Sequence, residues 1–335
     1  MKHEESIHMI QSINFPIAMS CIKPYGDWDA LEKLIKALGV DGVEGIWDPD
    51  EIDDRFPVRL LTGCHLIFYP DWLDFYRWNE PELIRKFGSL DILSRIYPGP
   101  RPEDLVHVYH EDLARAIRYG AKYMVFHVSD VSQEECWTYK WLHDDYYVLD
   151  ASIEIINEIL HGVEPTFDFL VENQWWPGFT FTDPKQTEYL LSRINYPRVG
   201  IMLDTGHLMN TNPALRSQEE GAEYILKQYR AHGELGKAVL GMHFHQSLSG
   251  EYVRGHVGIY PESVPRDFFE GFSVNYFHVQ HIDRHDPWTV PEAGKIVHEI
   301  APKYLTHELI GKENCPQLTA TKLQLEAIQK GFSLL

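Results

Sequence analysis

The run Gly200-Ile-Met-Leu-Asp204-Thr-Gly-His207 joins an apolar stretch to a carboxylate and, three residues on, an imidazole. Val199 to Leu203 suits a strand buried on both faces. Thr205-Gly206 then breaks the extended chain and presents His207 beside Asp204, so the pair can grip one cation or two neighbouring ones. The same arrangement, an apolar run followed by a metal-type ligand, recurs at His65, His127, Glu172, His243 (with His245 two on) and Glu308. A further cluster, His281-Ile-Asp283-Arg284-His285, lies in a long loop. Taken singly, each has a plain structural explanation: a lone His near a strand end is more often hydrogen-bonded than ligating, and a lone Glu can pair with an Arg. Taken together, they would bury many ionisable groups at several kcal/mol each unless paired or coordinated. A divalent cation resolves that cost. Oxygen and imidazole donors suit Mn, Zn, Co or Mg. The four cysteines, Cys21, Cys64, Cys136 and Cys315, form no CxxC pair, which disfavours thiolate zinc and a disulfide framework.

Ligands at strand ends need strands that all point one way. Eight apolar runs are expected as strands: Pro16–Lys23, Val40–Trp47, Leu60–Tyr69, Lys122–Ser129, Phe167–Gln174, Val199–His207, Val239–Ser247 and Tyr304–Gly311. Helical spacing between most of them places helices at Asp27–Leu38, Pro102–Tyr119, Ala151–Leu160, Lys185–Ile194, Pro213–His232, Glu292–Ile300 and Thr321–Lys330. Strict alternation implies parallel strands with right-handed crossovers, and a (β/α)8 barrel is the economical closure, with a doubly wound open sheet as the fallback. The 335 residues, 44% hydrophobic and 24% charged, fit one such domain over residues 1–335. Connections from strand to helix are long (Pro70–Arg101, Asp130–Asp150, Leu248–Val290) and rich in aromatics. They emerge on the face where barrel enzymes collect catalytic residues, and Leu248–Val290 is expected to cover the mouth as a lid.

The formal net charge of −20 and the lack of a Lys/Arg run argue against a nucleic-acid partner. The first residues carry no signal-type apolar core and no apolar run approaches the ~20 residues that span a bilayer, so a soluble, cytoplasmic protein is expected, with a homo-oligomer allowed.

These ligand positions resemble those of the xylose isomerase-like TIM-barrel superfamily, which unites sugar isomerases and epimerases with endonuclease IV-type apurinic nucleases (AP endonuclease family 2). The resemblance covers nearly the whole chain. It implies that Glu172, Asp204, His243 and Glu308 hold one divalent metal, the two glutamates doubling as acid and base. The nuclease branch implies further ligands at His65, His127, His207, Asp283 and His285, hence one to three ions. Other nuclease motifs are not visible: no Pro-Gly follows His127, and Glu172-Asn173 leads into Gln-Trp175-Trp176-Pro-Gly178. Trp175, Trp176, Lys23, Glu44 and Arg284 are candidates to touch substrate, against the plainer readings of rim packing for the indoles and ordinary solvated or paired charge for the rest. Two functions follow. The first is a metal-dependent isomerase or epimerase of a sugar or sugar phosphate, favoured by the acidic charge and aromatic loops; the second is a zinc-dependent phosphodiesterase. A purely structural metal barrel is the weakest reading, because stability does not require ligands on the loop-rich face.

Overall fold

The computed structural model describes residues 9–47, 53 and 55–335. Eight parallel strands close into a barrel in chain order: β1 (Ile10–Ile17), β2 (Gly42–Trp47), β3 (Leu61–His65), β4 (Tyr123–His127), β5 (Asp168–Glu172), β6 (Val199–Asp204), β7 (Val239–His243) and β8 (Tyr304–His307). The chain is thus a (β/α)8 TIM barrel. Most strand residues are buried, as expected for strands covered by helices outside and filled by side chains inside. The interior is layered. Tyr123, Val125, Leu170, Met202 and Tyr304 fill the middle, and Gly63 is small because any Cβ there would run into the Tyr123 ring.

Register places the ionisable residues side by side. His127 on β4 pairs with Glu172 on β5, and Asp204 on β6 pairs with His243 on β7. Chain punctuation follows helix-capping chemistry. The side chains of Asp27, Ser132, Asp144 and Ser217 accept backbone N–H groups of the first turns they precede.

Two kinds of expectation need correcting. The first strand is Ile10–Ile17, not Pro16–Lys23; Met19–Ile22 is helical and Lys23 begins a tight turn. The polar residues of Ile10–Ile17 (Gln11, Ser12, Asn14) hide its strand character; their side chains bond to His307, Thr62 and the Leu309 N–H. Most of the other strands end earlier than the apolar pattern suggests, at their first ligand, where the loops begin.

The loop Leu248–Val290 carries two helices, Gly250–His256 and Phe268–Ile282. With Gln133–Thr138 they build a separate apolar cluster containing Trp137, Trp175, Trp176, Val253, Tyr260 and Ile282. Among the described residues no helix is long and apolar enough to cross a membrane.

Candidate metal centre and its cavity

Glu172, Asp204, His243 and Glu308 each end a strand or begin the loop after it, and their ligand atoms lie within 4.8 Å of one another. His65 and His127 join Glu172 in a second group of the same tightness. A third contains Asp204, His207 and His245, and a fourth His245, His285 and Glu308. Asp283 closes the edge: its Oδ2 is 3.2 Å from His207 Nε2 and 3.3 Å from His285 Nδ1. All nine positions anticipated as ligands therefore converge, linked through the shared carboxylates Glu172, Asp204 and Glu308.

The imidazoles are aimed by their second nitrogens. His65 Nδ1–H donates to the Leu66 carbonyl (2.7 Å), which turns Nε2 toward Glu172 (3.3 Å) and to within 3.0 Å of His127 Nε2. His207 Nδ1–H donates to the Asn173 carbonyl (3.0 Å), leaving Nε2 to face Asp283. His243 Nε2–H donates to Glu44 Oε1 (2.8 Å), so its Nδ1 lone pair looks at Glu172 and Glu308, each 3.1 Å away. A fixed tautomer of this kind is what a metal-ligating histidine requires.

Electrostatics balance only as a set. Burial alone would raise Glu172, but the imidazoles of His243 and His127 outweigh it and hold the carboxyl well below its usual range. Glu308 is likewise held low by His243 and His285 against its own burial. Burial would lower His243, yet Glu308, Glu44 and Glu172 drive it well above the ordinary value. Between the facing His65 and His127, burial opposes charge on both; the Glu172 hydrogen bond lifts the first, and the second is left lowered.

The donor set fits divalent cations. Nitrogen and oxygen ligands converge without a thiolate, and four buried atoms in it (Glu172 Oε1, Glu308 Oε2, and Nδ1 of His243 and of His245) have no hydrogen-bond partner. Unpaired polar atoms packed this densely are costly unless something positive sits among them. His285 adds strain in the same place: its φ of 48° is left-handed for a residue with a Cβ.

Some residues were missed, and others are placed differently. His245 stands two residues after His243 and reaches Asp204 Oδ2 at 2.9 Å; its proximity in sequence was the available signal. Asn173 is a clamp, donating to the Asp204 carbonyl, accepting from the Asp204 N–H, and receiving His207 on its own carbonyl. Thr205 bonds the His243 and His245 carbonyls. Glu44 does not line the cavity. It lies beneath His243, where Tyr123 and Thr306 also donate to it (2.7 and 2.8 Å), because inward side chains of β2 point into the closed barrel. Lys23 is exposed in its turn, and Arg284 is exposed and paired with Asp286; neither lines the cavity.

A cavity of about 680 Å³ opens above the centre. His127, His207, Asp283 and His285 form its floor on one side, and Trp175 and Trp176 line it together with residues of the long loops. Glu172 and Glu308 are not among its lining residues. Trp175 leans on His207 with ring centroids 5.1 Å apart.

Residues 32–288 match the sequence profile of the family described as xylose isomerase-like TIM barrel. No relative among curated protein sequences matches the chain. Similar solved structures include endonuclease IV from Thermus thermophilus (14% identity, TM-score 0.52, 96% of this chain and 99% of that one). A xylose isomerase-like TIM-barrel protein from Mycobacterium smegmatis in complex with magnesium is comparable (14%, 0.52, 99% and 99%). So is D-psicose 3-epimerase with D-tagatose from Clostridium cellulolyticum (13%, 0.52, 98% and 99%). At such identities these likenesses establish the fold.

Proposed function

The chain belongs to the xylose isomerase-like TIM-barrel family, and within it we propose a metal-dependent phosphoester hydrolase with a multinuclear centre, ahead of the one-metal sugar isomerase that the four-ligand core, the acidic charge and the aromatic loops favoured. One observation carries this reading. The cavity meets the outer ligands His127, His207, Asp283 and His285, while Glu172 lies behind them. Glu172 is fully buried and ringed by His65, His127, His207 and His243. A base that must reach a substrate carbon cannot do so from there without displacing those rings.

When bound, divalent cations at such a centre make a nucleophile from water near neutral pH and offset charge developing on substrate oxygens. The protein's own share is orientation. Glu172 is shared by the central group and the His65–His127 group, and Asp204 by the central group and the His207 side. Asn173 fixes Asp204 and His207 relative to each other, and Glu44 fixes the His243 tautomer. Asp283 and His285 present the cavity-facing edge to the substrate.

An isomerase remains the second reading. It is favoured by the charge of −20 and by a single Lys or Arg, Arg95, among the described residues lining the cavity. The test uses protein purified without chelators. Hydrolysis of p-nitrophenyl phosphoesters, abolished by His127→Ala, is the expected result. Deuterium uptake from solvent into ketoses, undiminished by His127→Ala and without phosphoester cleavage, would replace the hydrolase with the isomerase.

A further inference from the structure

The chemistry of the floor does not explain the walls. Above the ligands the cavity is bounded mainly by aromatic faces, among them Phe68, Tyr97, Trp175, Trp176, Phe272 and Tyr276. Two aromatic rings stand directly at the ligand edge. Phe68 lies against His127 with centroids 4.3 Å apart, and Trp175 lies against His207 and meets Trp176, tilted by 40°, at 4.1 Å. Arg95, the one Lys or Arg among the described residues that line it, has its guanidinium 4.0 Å over the Phe269 ring and is already engaged. A sugar phosphate or a nucleic-acid backbone needs cations or convergent donors along its length. Beyond the floor no second Lys or Arg among the described residues lines this space, and of its amides Gln133 and Asn275 are already bonded to each other.

Resting on the hydrolase reading for its floor, we propose that the cavity is an aryl subsite: the substrate is amphipathic, with an oxyanion head on the ligand edge and an uncharged aromatic body between the Phe68 and Trp175 sides. Volume agrees. About 680 Å³ lies within the ~300–1,000 Å³ that encloses a drug-sized ligand, far more than a phosphate head alone requires. Access agrees as well. Phe68, Phe272 and Tyr276 are 41%, 53% and 56% exposed while lining the cavity, so an apolar body meets aromatic surface from the mouth inward. Face-to-face and edge contacts with a flat body add to plain burial of area, which favours an aryl group over an alkyl chain of equal size.

Calorimetric titration of the protein as purified with naphthylmethylphosphonate and with methylphosphonate, neither of them hydrolysable, reads the subsite directly. The aryl compound is expected to bind at least 30-fold more tightly. Phe68→Ala and Phe272→Ala, both at exposed positions where folding is not at stake, should each cut that preference at least fivefold while leaving methylphosphonate within twofold. Quenching of tryptophan fluorescence by 2-naphthylmethanol, which has no anionic head, should saturate. Equal affinity for the two phosphonates with no saturable quenching overturns the aryl subsite and leaves the hydrolase reading intact. Saturable quenching, weakened by Phe68→Ala, with neither phosphonate bound sinks the phosphoester head and keeps the aryl subsite. Full aryl preference in both variants also overturns it.

Discussion

Glu44 offers the sharpest check on whether the ligand groups hold a cation. It is 2% exposed, away from the cavity, and its contact with the centre is the 2.8 Å bond from His243 Nε2–H to Oε1. Its other oxygen takes hydroxyl bonds from Tyr123 and Thr306. In Glu44→Gln the side chain keeps its shape, but the charge that raises the basicity of His243 is lost, and one amide face must meet donors with its own N–H groups. Loss of such an outer partner costs about 10–100-fold in metal affinity. At a metal concentration about 100 times the parent Kd, binding stabilises the parent by roughly 2.7 kcal/mol, and a variant 10- or 100-fold weaker by roughly 1.4 or 0.4 kcal/mol. For 335 residues the unfolding entropy is of order 0.7 kcal/mol/K, so the metal-induced rise in Tm should shrink from about 4 °C to about 2 °C or less. Without metal the variant should also be less stable than the parent, since it breaks a buried pair with His243 and turns amide hydrogens toward donors, so the comparison rests on the metal-induced shift. Calorimetric scans with and without Zn or Mn give both numbers. An unchanged metal-induced shift would refute the argument that Glu44 serves the centre through His243.

Three further outcomes follow from elsewhere in the fold. His278 in the lid is stacked on Trp137 at 3.5 Å; burial holds its pKa down at about 4, with Nε2–H donating to the Cys136 carbonyl and Nδ1 accepting from Tyr252. The folded pKa is depressed below the unfolded one, so the stability is complete above about pH 6.5 and is lost as pH falls toward 4, reaching about 3 kcal/mol. Hydrogen exchange over Phe268–Ile282 between pH 7 and 4.5 should show it, and flat protection would sink it. Gly63→Ala should strike the Tyr123 ring in the barrel interior and cost about 1–3 kcal/mol in urea unfolding; a change below about 0.5 would mean the ring has room to move. Lys86, with a 4% exposed side chain, lies 2.6 Å from Asp71 and 2.7 Å from Asp74, and its charge also bears on Asp130. Lys86→Met strands those carboxylates and should cost about 3–5 kcal/mol at pH 7; parent-like unfolding would show the cluster to be protonated instead.

What could be read from sequence divides along a physical line. Strands β2 to β8 and the candidate ligands at their ends were legible because a buried parallel strand is a continuous apolar run, and an ionisable residue at its end stands out. β1 was not, since Gln11, Ser12 and Asn14 break its apolar pattern while finding polar partners in neighbouring elements. Lys23 was misplaced with it. Glu44 was noticed at the right strand and left open between touching substrate and pairing with a neighbouring base, because whether an inward carboxylate reaches the cavity or stops beneath a histidine depends on barrel closure and not on local spacing. His245 was noted two residues after His243 but not placed among the ligands, and Asn173 was passed over, since its type does not separate a clamp from an ordinary loop residue.

The same line separates the chemistry from the choice of substrate. Every candidate ligand but His207, Asp283 and His285 lies on or next to a strand, where register sets neighbours: β4 to β5 brings His127 to Glu172, and β6 to β7 brings Asp204 to His243. The aromatic walls come from loops remote in sequence, and Phe68, Trp175 and Phe272 share a cavity only because the lid packs down on Trp137, Trp175 and Trp176. A composition rich in aromatics announced that such residues exist, not which of them face one another. A centre set by strand register constrains the reaction tightly, whereas walls set by loop packing can be altered without moving a ligand. Changes at Phe68 or Phe272 should therefore alter which substrate binds before they alter how many metal ions the protein carries, and metal content measured on those two variants should equal that of the parent. Loss of metal from either one would mean that the lid, and not the strand register, holds the centre together.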